Sequence, residues 1–175
     1  MGLLACLASG LASPALAVGT LTEISVTPSS LVAGANVEVT LSFTTANTWP
    51  ADGKLEVTFP AGFGVAGAAV GGVTPGNGTF SAAGNATGVV TVTRSGTGTQ
   101  ILAPAGVTIL LTGITNPGPG TTGVYALATK SYSGSTIDTG SAPGSAITSA
   151  QGTMTGVSVT PSSLVAGANV EVTLS

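Results

Sequence analysis

The chain contains an exact internal repeat. Residues 25–42 read SVTPSSLVAGANVEVTLS, and residues 158–175 read the same letters without one difference. The match continues upstream with lower identity, where residues 19–24 (GTLTEI) align with residues 152–157 (GTMTGV). A fixed spacing between repeated segments indicates a duplicated structural unit. The offset of 133 residues, from 25 to 158, therefore predicts one complete unit over 18–151 and the truncated start of the next repeat over 152–175.

A unit of this length is long enough to fold around its own core. Domains of this size bury roughly two-thirds of the surface that the unfolded chain exposes, so we expect no cofactor, metal or cross-link to be needed for stability. The composition agrees with a folded chain, because 43% of the residues are hydrophobic and only 5% are charged. Disordered chains combine low hydrophobicity with high net charge.

Apolar and polar residues alternate along most of the unit, which predicts β-strands with one buried face. The clearest run is Val37 to Thr44. Further runs contain Ile24 and Val26; Leu55, Val57 and Phe59; Val90 and Val92; Val107, Ile109 and Leu111; Tyr125, Leu127 and Thr129; and a short segment around Ile147. Gly and Pro clusters separate the runs, and we interpret Gly71 to Gly78 as an exposed loop.

No window shows a helical period with capping residues. Seven or eight short strands without helices predict an all-β, antiparallel immunoglobulin-like β-sandwich, with a barrel as the alternative. Trp49 follows the clearest strand, and we expect it to plug one end of the core.

The first residues are typical of a signal peptide. Leu3 to Leu11 is an apolar run, Pro14 interrupts it, and small residues at 15 and 17 predict cleavage after Ala17. No Lys or Arg precedes the run, which indicates that the true start lies upstream of Met1. An apolar first strand or helix of the domain is the alternative interpretation of the segment. The run is too short for a transmembrane span, and we expect no such span in this fragment. The prediction is an extracellular or cell-surface protein.

The single cysteine, Cys6, lies inside this segment. Leu3-Leu4-Ala5-Cys6 resembles a lipidation motif faintly, which is a second and less favoured interpretation of the segment. Cleavage after Ala17 would leave a mature chain without cysteine and therefore without disulfides.

The chain lacks the side chains that most catalytic and metal sites use. It has no histidine, and the complete unit holds five carboxylates: Glu23, Glu38, Asp52, Glu56 and Asp138. Zinc prefers Cys or His, and calcium prefers several carboxylates close in sequence. We interpret Asp52 and Asp138 as turn aspartates that bond nearby backbone, and we predict no catalytic residue, no metal site and no cofactor. Three cations are too few for a basic, nucleic-acid-binding surface.

Two triplets match the N-glycosylation sequon. Asn77-Gly78-Thr79 and Asn85-Ala86-Thr87 both fall in segments predicted as loops, so Asn77 and Asn85 are candidate N-glycosylation sites in a eukaryotic secreted protein. Asn77-Gly78 is also typical of a hairpin turn.

A set of short motifs resembles a known kind of repeat. The motifs are Pro50-Ala51-Asp52-Gly53-Lys54, Phe59-Pro60-Ala61-Gly62-Phe63, Gly113-Ile114-Thr115-Asn116-Pro117-Gly118, Thr122-Gly123-Val124-Tyr125, Ile137-Asp138 and Ser141-Ala142-Pro143-Gly144. Together they resemble the tandem immunoglobulin-like repeats of large, mostly uncharacterised extracellular proteins of unicellular algae and bacteria. The resemblance implies a many-copy surface or matrix protein and brings no catalytic residues with it.

Three functions follow as hypotheses. The first is a non-catalytic structural or adhesive module whose partners are neighbouring repeats of the same chain. The second is a carbohydrate- or protein-binding module that uses the loops Gly62 to Asn77 or Asn116 to Gly123. An exposed row of Trp49 with Tyr132 would favour sugar binding, and their burial would favour the structural hypothesis. The third is a filament subunit that donates its terminal strand to another molecule.

Overall fold

The computed structural model of the protein describes residues 17–152, 156–169 and 171–174. The predicted signal peptide up to residue 16 lies outside the described residues. Within them, fourteen strands form: β1 (Gly19–Thr20), β2 (Thr22–Pro28), β3 (Asn36–Thr45), β4 (Lys54–Thr58), β5 (Ala69–Thr74), β6 (Phe80–Gly84), β7 (Val89–Arg94), β8 (Ala105–Thr115), β9 (Gly120–Thr121), β10 (Tyr125–Lys130), β11 (Thr136–Ala142), β12 (Ala146–Ile147), β13 (Val159–Pro161) and β14 (Val172–Leu174). The described part of the chain has no helix.

Two sheets form the body of the unit. One sheet has the order β2-β3-β8-β5, and the other has the order β1-β11-β10-β4-β7-β6. All neighbouring strands in these sheets run antiparallel except β1 and β11, which are parallel. The first order corresponds to strands A, B, E and D of an immunoglobulin domain, and β11-β10-β4 correspond to G, F and C. The fold is therefore an all-β sandwich.

The core lies between the two sheets and is built by the alternating residues. In β3, Val37, Val39, Leu41 and Phe43 are buried, and the residues between them face outward. β8 contributes Val107, Ile109, Leu111 and Ile114; β4 contributes Leu55 and Val57; β7 contributes Val90 and Val92; and β10 contributes Tyr125 and Leu127. This agreement confirms the strands predicted from alternation over β2, β3, β4, β7, β8, β10 and β12.

Three details of the sequence-based interpretation differ from the structure. The segment Gly71 to Gly78 is not wholly a loop, because its first residues belong to β5, an edge strand paired with β8. Asn77-Gly78 does not form a hairpin turn, since it connects β5 in one sheet to β6 in the other. Twelve strands rather than seven or eight lie between Gly19 and Ile147. The additional strands are short or rich in Gly, Ala and Ser, so their own side chains give no clear strand pattern. They form because they pair with longer neighbouring strands.

The second copy of the repeat reproduces the first hairpin. β13 pairs with β14 in the same register as β2 with β3: Val159 lies opposite Leu174, as Val26 lies opposite Leu41. The turn is reproduced as well. The N–H of Ser162 donates to the Glu171 carbonyl and the N–H of Ala168 donates to the Val165 carbonyl, at the positions of the corresponding hydrogen bonds in the first copy. The hairpin geometry is therefore encoded by the local sequence.

The two copies differ in burial. Val172 is 55% exposed, whereas its counterpart Val39 is fully buried. Leu164 is 92% exposed, and its counterpart Leu31 is 41% exposed. The difference in exposed fraction between the two copies shows how much of this hairpin is covered by the rest of a complete unit.

Candidate functional site: the two ends of the sandwich

The chain enters and leaves the sandwich at opposite ends. β1 lies beside the first half of β11, and β2 then runs along the sheet to the turn at residues 29–35. After β12, Thr148 forms a parallel bridge with Val32 in that turn. We call the end that holds Gly19 the N-terminal end and the end that holds Thr148 the C-terminal end. They are separated by strands of up to eleven residues, about 36 Å.

A buried carboxylate organises the N-terminal end. Asp138 has no exposed surface, and its Oδ2 accepts hydrogen bonds from the backbone N–H groups of Ala46 and Asn47, both at 3.2 Å. Its Oδ1 accepts a bond of 2.9 Å from the side-chain amide of Asn47. Among the described residues no Lys or Arg pairs with it, so three N–H donors compensate the buried charge. The interpretation of Asp138 as a turn aspartate is therefore wrong: it lies within β11 and bonds a distant loop.

The first strand of the unit, β1, passes directly over this carboxylate. Gly19 lies opposite Asp138 in the parallel pair, and a Cβ at Gly19 would overlap Oδ1 of Asp138. Only glycine fits such a close approach. The Asn47 side-chain amide also donates to the backbone oxygen of Ala17 at 3.4 Å, so the residue before the predicted cleavage point already contacts the domain.

Arg94 and Trp49 close the core at the same end. Trp49 is fully buried, as predicted, and its indole N–H donates to the Lys54 carbonyl at 3.1 Å. Arg94 is 2% exposed, and its guanidinium lies 5.1 Å from the Trp49 ring and 5.4 Å from the Phe80 ring and donates to three backbone carbonyls. Burial lowers the pKa of Arg94 from its ordinary value, and the charge of Asp52 opposes that shift.

Thr148 and Asn116 hold the turn at the C-terminal end. The Thr148 N–H donates to the Leu31 carbonyl at 2.7 Å, and the Thr148 carbonyl accepts from the Ala33 N–H at 2.8 Å. The side-chain amide of Asn116 donates to the carbonyls of Ser30 and Val32 at 2.8 and 3.0 Å. The turn and the last residues of the unit are thus one connected structure.

Three aromatic rings fill the core below this turn. Phe59, Phe63 and Tyr125 have ring centroids 5.4 to 5.7 Å apart, in tilted or edge-on arrangements that aromatic pairs favour. The Tyr125 hydroxyl lies 3.1 Å from the hydroxyl of Ser145. Tyr125 therefore belongs to the core and does not offer a surface for a ligand.

Each end carries exposed apolar side chains. At the C-terminal end Leu31 and Val32 are 41% and 40% exposed, and Val124 is also exposed. At the N-terminal end Leu102 and Tyr132 are exposed, the latter at 68%. Because Trp49 is buried and Tyr132 is not, the two do not form an exposed row.

The two candidate glycosylation sites lie at opposite ends, and both are exposed. Asn77 follows β5 at the N-terminal end, where its Oδ1 accepts from the N–H and hydroxyl of Thr99. Asn85 opens the β6–β7 turn at the C-terminal end, where its Oδ1 accepts from the N–H and hydroxyl of Thr87 and from the Val89 N–H. Modification of either stays a prediction.

The remaining charged residues are dispersed. Glu56 pairs with Lys130, Glu23 accepts a bond from the Thr44 hydroxyl at 2.7 Å, and Asp52 lies in the turn before β4. Lys54 lies over the Tyr132 ring at 5.6 Å.

Within the described ranges no three Asp, Glu, Cys or His residues come together as metal ligands. In the same part of the chain no helix has the length and apolar character to cross a membrane.

The loops expected to form a binding site are partly ordered as strands. β5 occupies part of Gly62 to Asn77, and β9 occupies part of Asn116 to Gly123. An open concavity of about 440 Å³ lies at the N-terminal end and is lined by both polar and apolar residues, including Asn77, Thr99 and Leu102.

Comparison with known proteins gives few matches. No family model matches the chain, and neither does any curated protein. Among similar solved structures, the crystal structure of BslA, a bacterial hydrophobin, covers 75% of this chain and 98% of its own at 16% identity and a TM-score of 0.40. The chitin-binding domain of the hyperthermophilic chitinase from Pyrococcus furiosus covers 73% and 100% at 18% identity and a TM-score of 0.33. Scores in this range do not establish a shared fold, and no function of this chain follows from them.

Proposed function

We propose that the chain is a non-catalytic structural module of an extracellular or cell-surface protein built from tandem repeats. The observation that carries the proposal is the position of the two termini of the unit. The chain enters at Gly19 and leaves after Thr148 at the opposite end, and a similar sequence restarts at Gly152 and becomes identical to the first from Ser158. Units connected in this way extend along one axis, and such arrays lengthen by duplication of the unit.

The unit is also self-contained, which a repeated module requires. Its core closes between two sheets, and Trp49 and Arg94 seal one end while the three aromatic rings fill the other. Most of the charged residues of the unit make contacts within it, among them Arg94, Asp138 and the pair Glu56 and Lys130. The resemblance to algal and bacterial surface repeats and the predicted signal peptide support export of the array.

A test uses an antibody raised against residues 18–151. We expect it to label intact cells of the source organism without permeabilisation, and to detect on a blot a polypeptide much longer than one unit. Labelling only after permeabilisation would contradict the extracellular location. A band no longer than the chain itself would contradict the array.

Carbohydrate binding is the second candidate function, and one observation favours it. Tyr132 is 68% exposed beside Lys54 at the N-terminal end, where an aromatic face is available to a sugar ring. Protein binding at the same end would use the same side chain. Retention of the chain on insoluble chitin or cellulose, lost in Tyr132→Ala and kept in the control Tyr125→Phe, would support this candidate.

Strand donation is the third candidate. Val159 and Val172 are 61% and 55% exposed in β13 and β14, so this hairpin lacks a partner sheet in the described structure. Donation to a second molecule would produce association that depends on protein concentration. Sedimentation of the chain with and without residues 152–175 separates this candidate from the array.

A further inference from the structure

The connection between two successive repeats is one residue long, Ser149. Thr148 still belongs to the first repeat, because its backbone bonds Leu31 and Ala33 at 2.7 and 2.8 Å. Ala150 is the counterpart of Ala17, whose carbonyl accepts a hydrogen bond from the Asn47 side chain of its own repeat. In an array, Ala150 is therefore already held by the second repeat.

This short connection brings the two ends into contact. Consecutive Cα atoms are about 3.8 Å apart, so the Cα atoms of Thr148 and Ala150 are separated by at most about 7.6 Å. Thr148 lies against the turn at residues 29–35, and Ala150 lies against the counterpart of Asn47 in the next repeat. The gap between the two surfaces is thus no wider than a layer of side chains.

Two exposed apolar side chains of the first repeat border this gap. Leu31 and Val32 flank Thr148 and are 41% and 40% exposed in the complete unit. The same pair recurs as Leu164 and Val165 in the second copy. Every complete unit of an array would therefore expose a Leu-Val pair at its C-terminal end. A connection of one residue also keeps the effective concentration of the neighbouring surface high, so a small contact area is sufficient for docking.

We propose that successive repeats dock end to end. Leu31 and Val32 of one repeat are covered by the N-terminal end of the next repeat, the end that carries the counterparts of Asn47 and Asp138. This inference rests on the proposed tandem array and names the partner surface within it. The resulting rod is stiff at its junctions, because a connection of one residue is too short for neighbouring units to separate.

The test uses the full chain extended by a second copy of residues 43–151 after Ser175, which completes the second unit. Side-chain labelling by hydroxyl radicals, read by mass spectrometry, compares Leu31 and Val32 at the junction with Leu164 and Val165 at the free end. Within a single unit the two pairs have the same surroundings, so the free pair is an internal control. A second variant carries Gly-Ser-Gly-Ser inserted between Ser149 and Ala150.

We expect labelling of Leu31 and Val32 to be several-fold lower than that of Leu164 and Val165, and to rise to the same level in the insertion variant. Equal labelling in two folded units would overturn docking and leave the array intact. If the completed second unit failed to fold, as read by its amide exchange, the tandem-array proposal would fail, and docking with it.

Discussion

Replacing Asp138 tests the organisation of the N-terminal end. In Asp138→Ala the backbone N–H groups of Ala46 and Asn47 and the Asn47 amide lose a charged acceptor. Hydrogen bonds to charged groups contribute about 1.5–3 kcal/mol each. Part of that loss is offset, because the variant no longer buries a carboxylate without a cation. We expect the free energy of unfolding to fall by about 2–4 kcal/mol, a large share of the stability of an ordinary domain.

Two further variants divide this effect. Asp138→Asn keeps one oxygen that can accept the two backbone N–H groups, and we expect it to lose about 1 kcal/mol. Asn47→Ala removes the bond to Oδ1 of Asp138, together with the longer bonds from the same amide to the carbonyls of Ala17 and Ile137, and we expect a similar loss. The double variant with Asp138→Ala should be less destabilised than the sum of the two single changes, since both remove the same bond.

The assay is urea unfolding followed by the fluorescence of Trp49, the single tryptophan, which is buried at the same end. With a slope of about 2 kcal/mol per molar urea, the expected loss moves the midpoint of Asp138→Ala by about 1–2 M. A shift below about 0.3 M would refute the assigned role of the carboxylate. So would an Asp138→Asn variant as unstable as Asp138→Ala.

Three further changes have definite expected outcomes. Arg94→Lys loses the stacking on Trp49 and Phe80 and two of the three carbonyl bonds, so the free energy of unfolding should fall by about 2–4 kcal/mol in urea titrations; a fall below about 0.5 kcal/mol would contradict this packing. Glu23 has a positive φ of 52°, so Glu23→Gly should leave the melting temperature nearly unchanged, whereas Glu23→Val should cost about 1–2 kcal/mol; equal effects would argue against a left-handed backbone there. Tyr132→Ala should leave the melting temperature unchanged because the side chain is 68% exposed, and a clear drop would mean that Tyr132 packs against the core.

Alternation of side chains was sufficient to predict the strands that build the core. β3 is the clearest example, since Val37, Val39, Leu41 and Phe43 occupy the buried face without exception. The second copy also indicates that local sequence determines the pairing of these two strands. β13 and β14 keep the register of β2 and β3 even though Val172 is exposed where Val39 is buried.

The strands that sequence reasoning missed depend on their neighbours. β11 places Asp138 at a buried position, and no alternation of apolar side chains marks this strand. Its position is determined by β10 on one side and β1 on the other. β5 contains Gly71 and Gly72 and is ordered by its pairing with β8. Such strands can be identified only when the partner strand is known.

The candidate sites were predictable to different degrees. Burial of Trp49 followed from its place after the strongest strand, and the exposure of Asn77 and Asn85 followed from their turn-like surroundings. The role of Asp138 did not follow, because its partners Ala46 and Asn47 are about ninety residues away in sequence. One local signal was available: a glycine occupies both position 19 and its counterpart 152, as the close approach to Asp138 requires.

The central claim is that this unit is one of many joined end to end, and reading the coding sequence downstream of Ser175 tests it most directly. We predict further units spaced by 133 residues. Each should carry a glycine at the counterpart of Gly19, an aspartate at that of Asp138, and a Leu-Val pair at that of Leu31 and Val32. A stop codon directly after Ser175, or an unrelated sequence in place of a completed second unit, would contradict the claim.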